Sequence, residues 1–376
     1  MKERKHIRVA IAGGGTGGHL FPALNLGKAL QKEWDAELLF FGTERGIEKE
    51  IIPREGYEIV FLPVRGFQRK LTLKNLLFPF YLWRSLALSK KALRRFKPQL
   101  VLGAGGYVMG PVLKSAKKRG IPIVIQEQNS YPGVTTRMLA KDADYVFLAY
   151  EEAKKYLPAQ THAVVTGNPI RLPAEKISKE KALQTFDLQQ DKLTILVLGG
   201  SQGAQSINRA VMAALQNLKA NQDVQWLWQT GKKHFKKWAD QLAQQKMLNV
   251  KIVPFITEMP KAYQAADLVI CRAGAMTLSE LMAFGKPAVL IPYPYATANH
   301  QFKNAAAIAQ KGAALIIVDN EQLPQNLLQT LHALMQAPEK IEDMAKKMHD
   351  LYPGDSVSKI LELSAQLLRE KGVADI

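Results

Sequence analysis

Ile7-Arg8-Val9-Ala10-Ile11-Ala12-Gly13-Gly14-Gly15-Thr16-Gly17-Gly18-His19 is the stretch that decides the fold. A short strand-like apolar run meets a turn made almost wholly of glycine, and helical spacing begins directly after it. The same succession returns twice. Leu100 to Leu102 precede Gly103-Ala104-Gly105-Gly106-Tyr107, and Thr194 to Leu198 precede Gly199-Gly200-Ser201-Gln202-Gly203-Ala204. Turns of this kind hold phosphate: without Cβ atoms, glycines let consecutive backbone N–H groups converge on an anion, and the following helix adds its positive N-terminal end. Two turns fall in the first half of the chain and one in the second, which predicts two phosphorylated groups held across a cleft.

Strand-like and helix-like segments alternate along nearly all of the 376 residues, the pattern of an α/β protein with parallel sheets. A chain of this length exceeds one ordinary core and predicts two domains. An internal echo supports the division. Val101-Leu-Gly-Ala-Gly-Gly-Tyr, a helix and Gly120-Ile-Pro-Ile-Val-Ile125 resemble Val269-Ile-Cys-Arg-Ala-Gly-Ala, a helix and Gly285-Lys-Pro-Ala-Val-Leu290; Ala143 to Leu148 likewise resembles Ala266 to Cys271. The predicted architecture is two facing doubly wound Rossmann-like domains with a cleft between them and ligands at the carboxyl ends of the strands. Turn residues at Gly167-Asn168-Pro169-Ile170-Arg171 place the join, giving domains 1–167 and 168–354. A last amphipathic segment, within 355–372, is expected to pack back on the first domain.

Composition, at 47% hydrophobic and 22% charged, is that of a globular protein. The single cysteine, Cys271, excludes an internal disulfide, fits a reducing compartment and reads as part of a buried strand. The basic start leads into only Val9 to Ala12 before glycine stops the run, so no signal peptide fits. No apolar run approaches the roughly 18 residues of a membrane span, which predicts a soluble or peripheral protein. The net charge of +18 is unevenly placed: from Ile59 to Gln126 there is no Asp or Glu, while Arg65, Arg69, Lys70, Lys74, Arg84, Lys90, Lys91, Arg94 and Arg95 all fall there. An anionic surface is the expected partner. Nucleic acid would explain the charge and leave the three phosphate turns unexplained.

Gly13-x-Gly15-x-x-Gly18 also fits the dinucleotide fingerprint, which needs an acid about 20 residues on at the end of the second strand. Here that strand ends in Gly42-Thr43 and Glu44 comes late, against a nicotinamide enzyme. His19 follows the first loop at a helix N-terminus, where its imidazole could accept a proton or simply cap and pack. Glu280, one turn inside a helix after Gly274, either complements the dipole or accepts two vicinal ribose hydroxyls. Asp142-Ala143-Asp144 has the look of a metal pair but precedes a strand, with no glycine turn or histidine beside it. Leu71 to Arg84 is unusually apolar inside the acid-free stretch. Leu73, Leu76, Leu77 and Phe80 share a helical face, which Pro79 is expected to kink or end, and that face suits either core or membrane contact.

Taken together, GGGTGGHLFPAL at 13–24, LGAGGYVMGP at 102–111, QEQN at 126–129, GNPIR at 167–171, GGSQGA at 199–204, CRAGAMTLSE at 271–280 and NHQFKNA at 299–305 closely resemble the MurG family. These are bacterial UDP-N-acetylglucosamine:undecaprenyl-diphospho-muramoylpentapeptide N-acetylglucosaminyltransferases. The likeness covers essentially the whole chain and implies a GT-B fold, UDP-N-acetylglucosamine as donor and lipid I, the undecaprenyl-diphosphate-linked muramoyl pentapeptide, as acceptor. It implies lipid II as product and a peripheral location at the cytoplasmic face of the cell membrane. A UDP-sugar epimerase of the same fold is the alternative.

Carried over by position, Ser201, Gln202 and Gly203 would hold the donor diphosphate, and Ile256 would offer backbone atoms to uracil. Glu280 would take the ribose hydroxyls, while Ala275, Met276 and Thr277 line the nucleotide and sugar. Gln301 and Asn304 would read the sugar. Thr16, Gly17, Gly18, Asn129 and Arg171 match donor-binding positions of the first domain; Gly14, Gly15, Gly105, Gly106 and Tyr107 are the implied acceptor diphosphate cradle. Leu76, Leu77, Phe80 and Trp83, with Lys74 and Arg84, fall where the family meets the membrane. Many members carry histidine where this chain has Gln126, so any base role moves to His19, with Glu127 as a weaker substitute. Backbone amides at the leaving diphosphate do work that a metal does elsewhere, so no cofactor is expected in the chemical step.

Overall fold

The computed structural model describes residues 7–64, 77–173, 175, 177–200, 203–218 and 223–374. Two compact units divide the chain, Met1–Arg171 together with Pro353–Ile376, and Leu172–Tyr352. In the first, β1 (Arg8–Ala12), β2 (Glu37–Gly42), β3 (Glu58–Phe61), β4 (Leu100–Gly103), β5 (Ile123–Glu127), β6 (Tyr145–Leu148) and β7 (Ala163–Val165) form a sheet in the order β3-β2-β1-β4-β5-β6-β7. The second holds β8 (Leu193–Leu198), β9 (Val224–Gln229), β10 (Val250–Val253), β11 (Leu268–Cys271), β12 (Ala288–Leu290) and β13 (Ala314–Ile316), ordered β10-β9-β8-β11-β12-β13. Every strand pairing is parallel. Each sheet starts mid-sheet, winds to one edge and returns to build the other half, the doubly wound order that the alternating segments predict.

The strands read as continuous apolar runs because helices cover both faces. Val9 and Ile11 enter a core with Leu20 and Leu30 of helix Gly17–Trp34 and with Ile360 and Leu368 of helix Ser356–Glu370. Ala10 and Ala12 point the other way, to Leu93 and Phe96 of helix Phe78–Phe96 and Val112 of helix Met109–Lys117. The C-terminal helix is capped by Asp355, whose carboxylate accepts from the N–H groups of Val357 and Ser358 at 3.0 and 3.1 Å. It is tied to the first unit by Ser356 Oγ donating to the Gly167 carbonyl and Lys359 Nζ to that of Val165, both at 2.9 Å. In the second unit Trp226 and Trp228 of β9 anchor the core with Val211, Leu215, Leu327 and Leu331.

Register sets where the glycine turns emerge. Ala12 pairs with Gly103, and Leu198 with Cys271. The two turns of the first unit therefore leave β1 and β4 at one level of the sheet, beside the topological switch point. The turn after β8 leaves level with Arg272 at the matching point of the second.

The first internal echo falls on equivalent strands, β4 then β5 in one sheet and β11 then β12 in the other. The second does not: β6 and β11 hold different places in their sheets. They share a local device. Asp144 accepts from the N–H of Ile123 at 2.7 Å and Asp267 from that of Thr194 at 2.9 Å, so an Ala-Asp entry fastens the start of the neighbouring strand. Asp142 meanwhile pairs with Lys114 at 2.5 Å. Pro79 also departs from expectation, because it sits in the first turn of its helix and starts the helix rather than ending it. There its missing N–H is no loss and its fixed φ is already helical. No helix among the described residues is long and apolar enough to cross a membrane.

Candidate active site

In the first unit the two glycine turns touch. A Cβ on Gly106, whose φ is +78°, would lie 2.6 Å from the Gly14 carbonyl oxygen, and one on Gly105 would lie 2.3 Å from His19 Nδ1. The absent side chains thus let one turn lie against the other and the imidazole against a bare backbone. His19 is half-buried, with Nδ1 2.9 Å from Gln128 Oε1. Thr16, Gly15 and Gly18 are exposed beside it, and Tyr107 is exposed at the end of the second turn. Thr16 is the N-cap of helix Gly17–Trp34, and its side chain makes no capping hydrogen bond.

Glu48, which the sequence reading passed over, lies beneath the first turn. It is fully buried, and its carboxylate accepts from the Gly15 N–H at 2.9 Å and from both the N–H and the hydroxyl of Thr43 at 2.9 Å. A Cβ on Gly14, Gly42 or Gly46 would come within 2.6, 2.5 or 2.0 Å of this side chain. The Gly15 amide expected to face an acceptor phosphate is therefore turned inward, and its partner is an acid of the loop's own unit. The sequence did carry a signal, since glycines at 42 and 46 bracket the approach to that glutamate.

Glu127 likewise differs from a free base. It is 2% exposed, and its oxygens accept from the N–H and side-chain amide of Asn129 at 3.1 and 3.2 Å and from the Gly133 N–H at 3.0 Å. A carboxylate so enclosed shapes the loop from Asn129 to Gly133 and has no path to a substrate proton. Gln126 is fully buried and donates to Asn168 Oδ1 at 2.9 Å. Arg171 is exposed at the end of the unit.

In the second unit the turn after β8 is held from below. A Cβ on Gly203, at φ +77°, would come 2.1 Å from the Thr230 carbonyl oxygen, which also accepts from Asn208 Nδ2 at 3.0 Å. Gln229 joins the turn to the segment after β10: its Nε2 donates to the Gly200 carbonyl at 3.1 Å, and its Oε1 accepts from the Ile256 N–H at 2.8 Å. Ile256 thus has its N–H committed and its side chain buried, which leaves its carbonyl as the backbone group able to meet a base. Ser201 and Gln202 lie outside the described residues, as do Leu76 and Lys74.

A pocket of about 510 Å³ opens against this turn, lined by Gly199, Gly203, Ala204, Gln205, Ser206, Arg209, Arg272, Tyr293, Pro294, Tyr295, Gln301 and Asp319. It brings together Gly203 and Gln301 and adds Arg272, to which the sequence reading gave no role. The guanidinium sits 2.7 Å from Asp319, donates to Ser206 Oγ at 3.0 Å and to the Ile291 carbonyl at 3.0 Å, and lies over the Tyr293 ring at 5.5 Å. Gln301 Oε1 accepts from the Tyr293 N–H at 2.9 Å, which leaves its amide donors for a ligand. Asn304 is fully buried, so any part it plays is behind the wall rather than at it.

Glu280 stands apart from that pocket, on helix Ala275–Phe284, with Ala275 nearly buried and Met276 and Thr277 half-buried in the helix's first turn. The Tyr263 hydroxyl donates to Glu280 Oε2 at 2.8 Å. Burial pushes the Glu280 carboxyl upward against the lowering effect of that hydrogen bond, and pushes Tyr263 well up. The neighbouring Cys271 thiol is raised by burial to about 12, which makes it an unreactive core residue.

On helix Phe78–Phe96 the small residues Ser85, Ser89 and Ala92 face inward, while Leu77 at its start, Phe80 and Trp83 are 50%, 54% and 66% exposed. These three are surface residues, with Arg84 exposed beside them.

Residues 9–148 match the glycosyltransferase family 28 N-terminal domain and residues 194–360 its C-terminal domain. The chain is 42% identical, over 98% of its length and 100% of the other, to the UDP-N-acetylglucosamine--N-acetylmuramyl-(pentapeptide) pyrophosphoryl-undecaprenol N-acetylglucosamine transferase of Parabacteroides distasonis. It belongs to the MurG family. Among solved structures, MurG of Acinetobacter baumannii superposes with a TM-score of 0.79 at 29% identity, covering 95% of this chain and 99% of that one. The family's two-domain GT-B fold and its hexosyltransferase class are thus those of this chain. UDP-N-acetylglucosamine 2-epimerase of Neisseria meningitidis, at a TM-score of 0.62 and 15% identity over 95% of this chain and 99% of that one, shares the fold alone with this MurG-family member.

Proposed function

We propose that this chain transfers N-acetylglucosamine from UDP-N-acetylglucosamine to the muramoyl 4-hydroxyl of lipid I, forming lipid II. The observation that carries the reading is a full-length match to the MurG family in a chain that keeps, at the switch point of each sheet, a glycine turn opening onto a helix. The acceptor oxygen attacks C1 of the sugar in line, the C1–O bond to the diphosphate breaks with inversion, and UDP leaves with the bonding electrons. His19 takes the hydroxyl proton. Backbone amides of the Gly200 to Gly203 turn, apart from the Gly203 N–H that closes it on the Gly200 carbonyl at 3.0 Å, and the N-terminus of helix Gln205–Asn217 stabilise the charge that grows on the leaving diphosphate, an interaction stronger in the transition state than before it. Arg272, neutralised by Asp319, orders the pocket wall.

Glu280 takes the ribose hydroxyls, for which an acceptor-rich carboxylate held by Tyr263 is suited. The Ile256 carbonyl serves uracil, and the Gln301 amide the sugar. Thr16, Gly17, Gly18, Asn129 and Arg171 complete the donor contacts, and Gly105, Gly106 and Tyr107 the acceptor diphosphate contacts. Leu77, Phe80 and Trp83 enter the cytoplasmic face of the membrane, where each large side chain contributes about 1.5–3 kcal/mol and each nearby basic residue about 1 kcal/mol, enough for reversible binding. Incubation with UDP-N-acetylglucosamine and a lipid I analogue tests the reading. UDP release that depends on the analogue is expected. Release or epimerisation without it would point to epimerase chemistry instead.

A further inference from the structure

We propose that Gln128, backed by Gln126 and Asn168, is a positioning residue that holds the proton of neutral His19 on Nδ1 and leaves Nε2 as the proton acceptor. The inference concerns the tautomer of His19 and deepens the reading of that residue as the base.

Donors and acceptors around Gln128 decide the tautomer. Gln128 Nε2 approaches three oxygens, the carbonyls of Ala104 and Gln126 at 3.0 and 3.1 Å and Gln126 Oε1 at 2.5 Å. Turning the Gln128 amide round would set its oxygen against all three. Its nitrogen is therefore where hydrogens are required, and its oxygen faces His19. Gln126 Nε2 donates in turn to Asn168 Oδ1 at 2.9 Å, and Asn168 Nδ2 donates to the Gln128 carbonyl at 3.1 Å. Backbone carbonyls, which can only accept, thus fix both ends of the chain of amides. All three amide residues are at most 3% exposed, so water does not scramble the order. The one group left to satisfy Gln128 Oε1 across its 2.9 Å contact with His19 is an Nδ1–H.

Gly105 enforces the same edge. His19 Nδ1 would be 2.3 Å and Cε1 2.7 Å from a Cβ at that position, so the ring is seated by a residue that offers it no side chain. When the acceptor hydroxyl loses its proton, the new N–H forms on Nε2. The imidazolium keeps its Nδ1–H bond to Gln128, and no heavy atom has to move.

The test is nitrogen NMR of full-length protein with labelled histidine, His19 being assigned by its loss in His19→Ala. In the neutral form, His19 is expected to give a protonated-type Nδ1 and an unprotonated-type Nε2. Gln128→Met, which removes the acceptor at similar volume, should release a mixture of tautomers and lower kcat about tenfold with little change in donor KM. Gln126→Leu should move the tautomer ratio the same way one link back, and Gln126→His, with one donor and one acceptor, should keep it. A native His19 protonated on Nε2, or a ratio indifferent to Gln128→Met, overturns the proposal. The spectrum of the unaltered protein decides the tautomer even if a variant fails to fold. If the tautomer behaves as described and His19→Ala still turns over at the native rate, the relay stands and the base assignment alone falls.

Discussion

Gly106→Ala is the sharpest probe of how the two turns of the first unit meet. At φ +78° an alanine is in the left-handed region, which costs about 1–2 kcal/mol for an L residue. Its methyl would also stand 2.6 Å from the Gly14 carbonyl oxygen, a backbone atom that cannot rotate aside. Reaching ordinary contact requires the turns to part by roughly 0.8 Å, and overpacking of that kind costs about 1–3 kcal/mol. The expected loss is therefore about 2–5 kcal/mol. In a unit of this size, that lowers Tm by roughly 5–15 °C. Gly56→Ala is the matched control: its φ is +83°, yet nothing lies within 4 Å of the new methyl. It bears the backbone term alone. Thermal unfolding of both variants, followed by circular dichroism, separates the two contributions. Because Gly105 seats His19, Gly106→Ala should also depress kcat, whereas Gly56→Ala should not. Equal destabilisation by the two substitutions, with equal turnover, would refute the close approach of the turns.

Other expectations follow from the same geometry. Glu280→Ala should weaken UDP-sugar binding, read by calorimetry, about 10-fold to 100-fold through loss of a charge-assisted ribose contact; unaltered affinity would remove that assignment. Phe80→Ser with Trp83→Ser should release the protein from anionic vesicles in a flotation assay and leave its Tm within a few degrees, since both side chains are already exposed. Lys286 gives a pH dependence. Burial lowers its ammonium from 10.5 to about 8, although it donates to the Ala266 carbonyl at 2.9 Å. Below about 8 the folded state holds a charge the unfolded chain holds more easily, and that penalty fades as pH rises toward 10.5. Native protein should therefore gain stability relative to Lys286→Met between pH 7.5 and 10 in denaturant titrations, by up to about 3 kcal/mol. A pH-independent difference would mean that Lys286 titrates normally.

The doubly wound order was legible because parallel strands buried on both faces read as unbroken apolar runs, and because a glycine turn after each central strand marks the switch point. His19 and Glu280 stand out as candidates for a related reason: each lies within a turn or two of helix after a glycine that ends a strand segment. What escaped were partnerships across the chain. Glu48 meets Gly15 over 33 residues, Gln128 meets His19 over 109, and Gln229 meets Ile256 over 27. Nothing local announces these pairs, since each exists only once the sheet has brought separate loops to one level. Pro79 failed for the opposite reason. Its local rule has two outcomes, and which applies depends on where the helix begins.

The contribution of helix Ser356–Glu370 to the core around Val9 and Ile11 has a consequence for biosynthesis. A ribosome makes all of residues 172–352 before it makes the segment that covers Leu20 and Leu30. The later half of the nascent polypeptide can therefore finish folding first, while the earlier half waits with part of its apolar face bare to chaperones and proteases until its last turn of helix arrives.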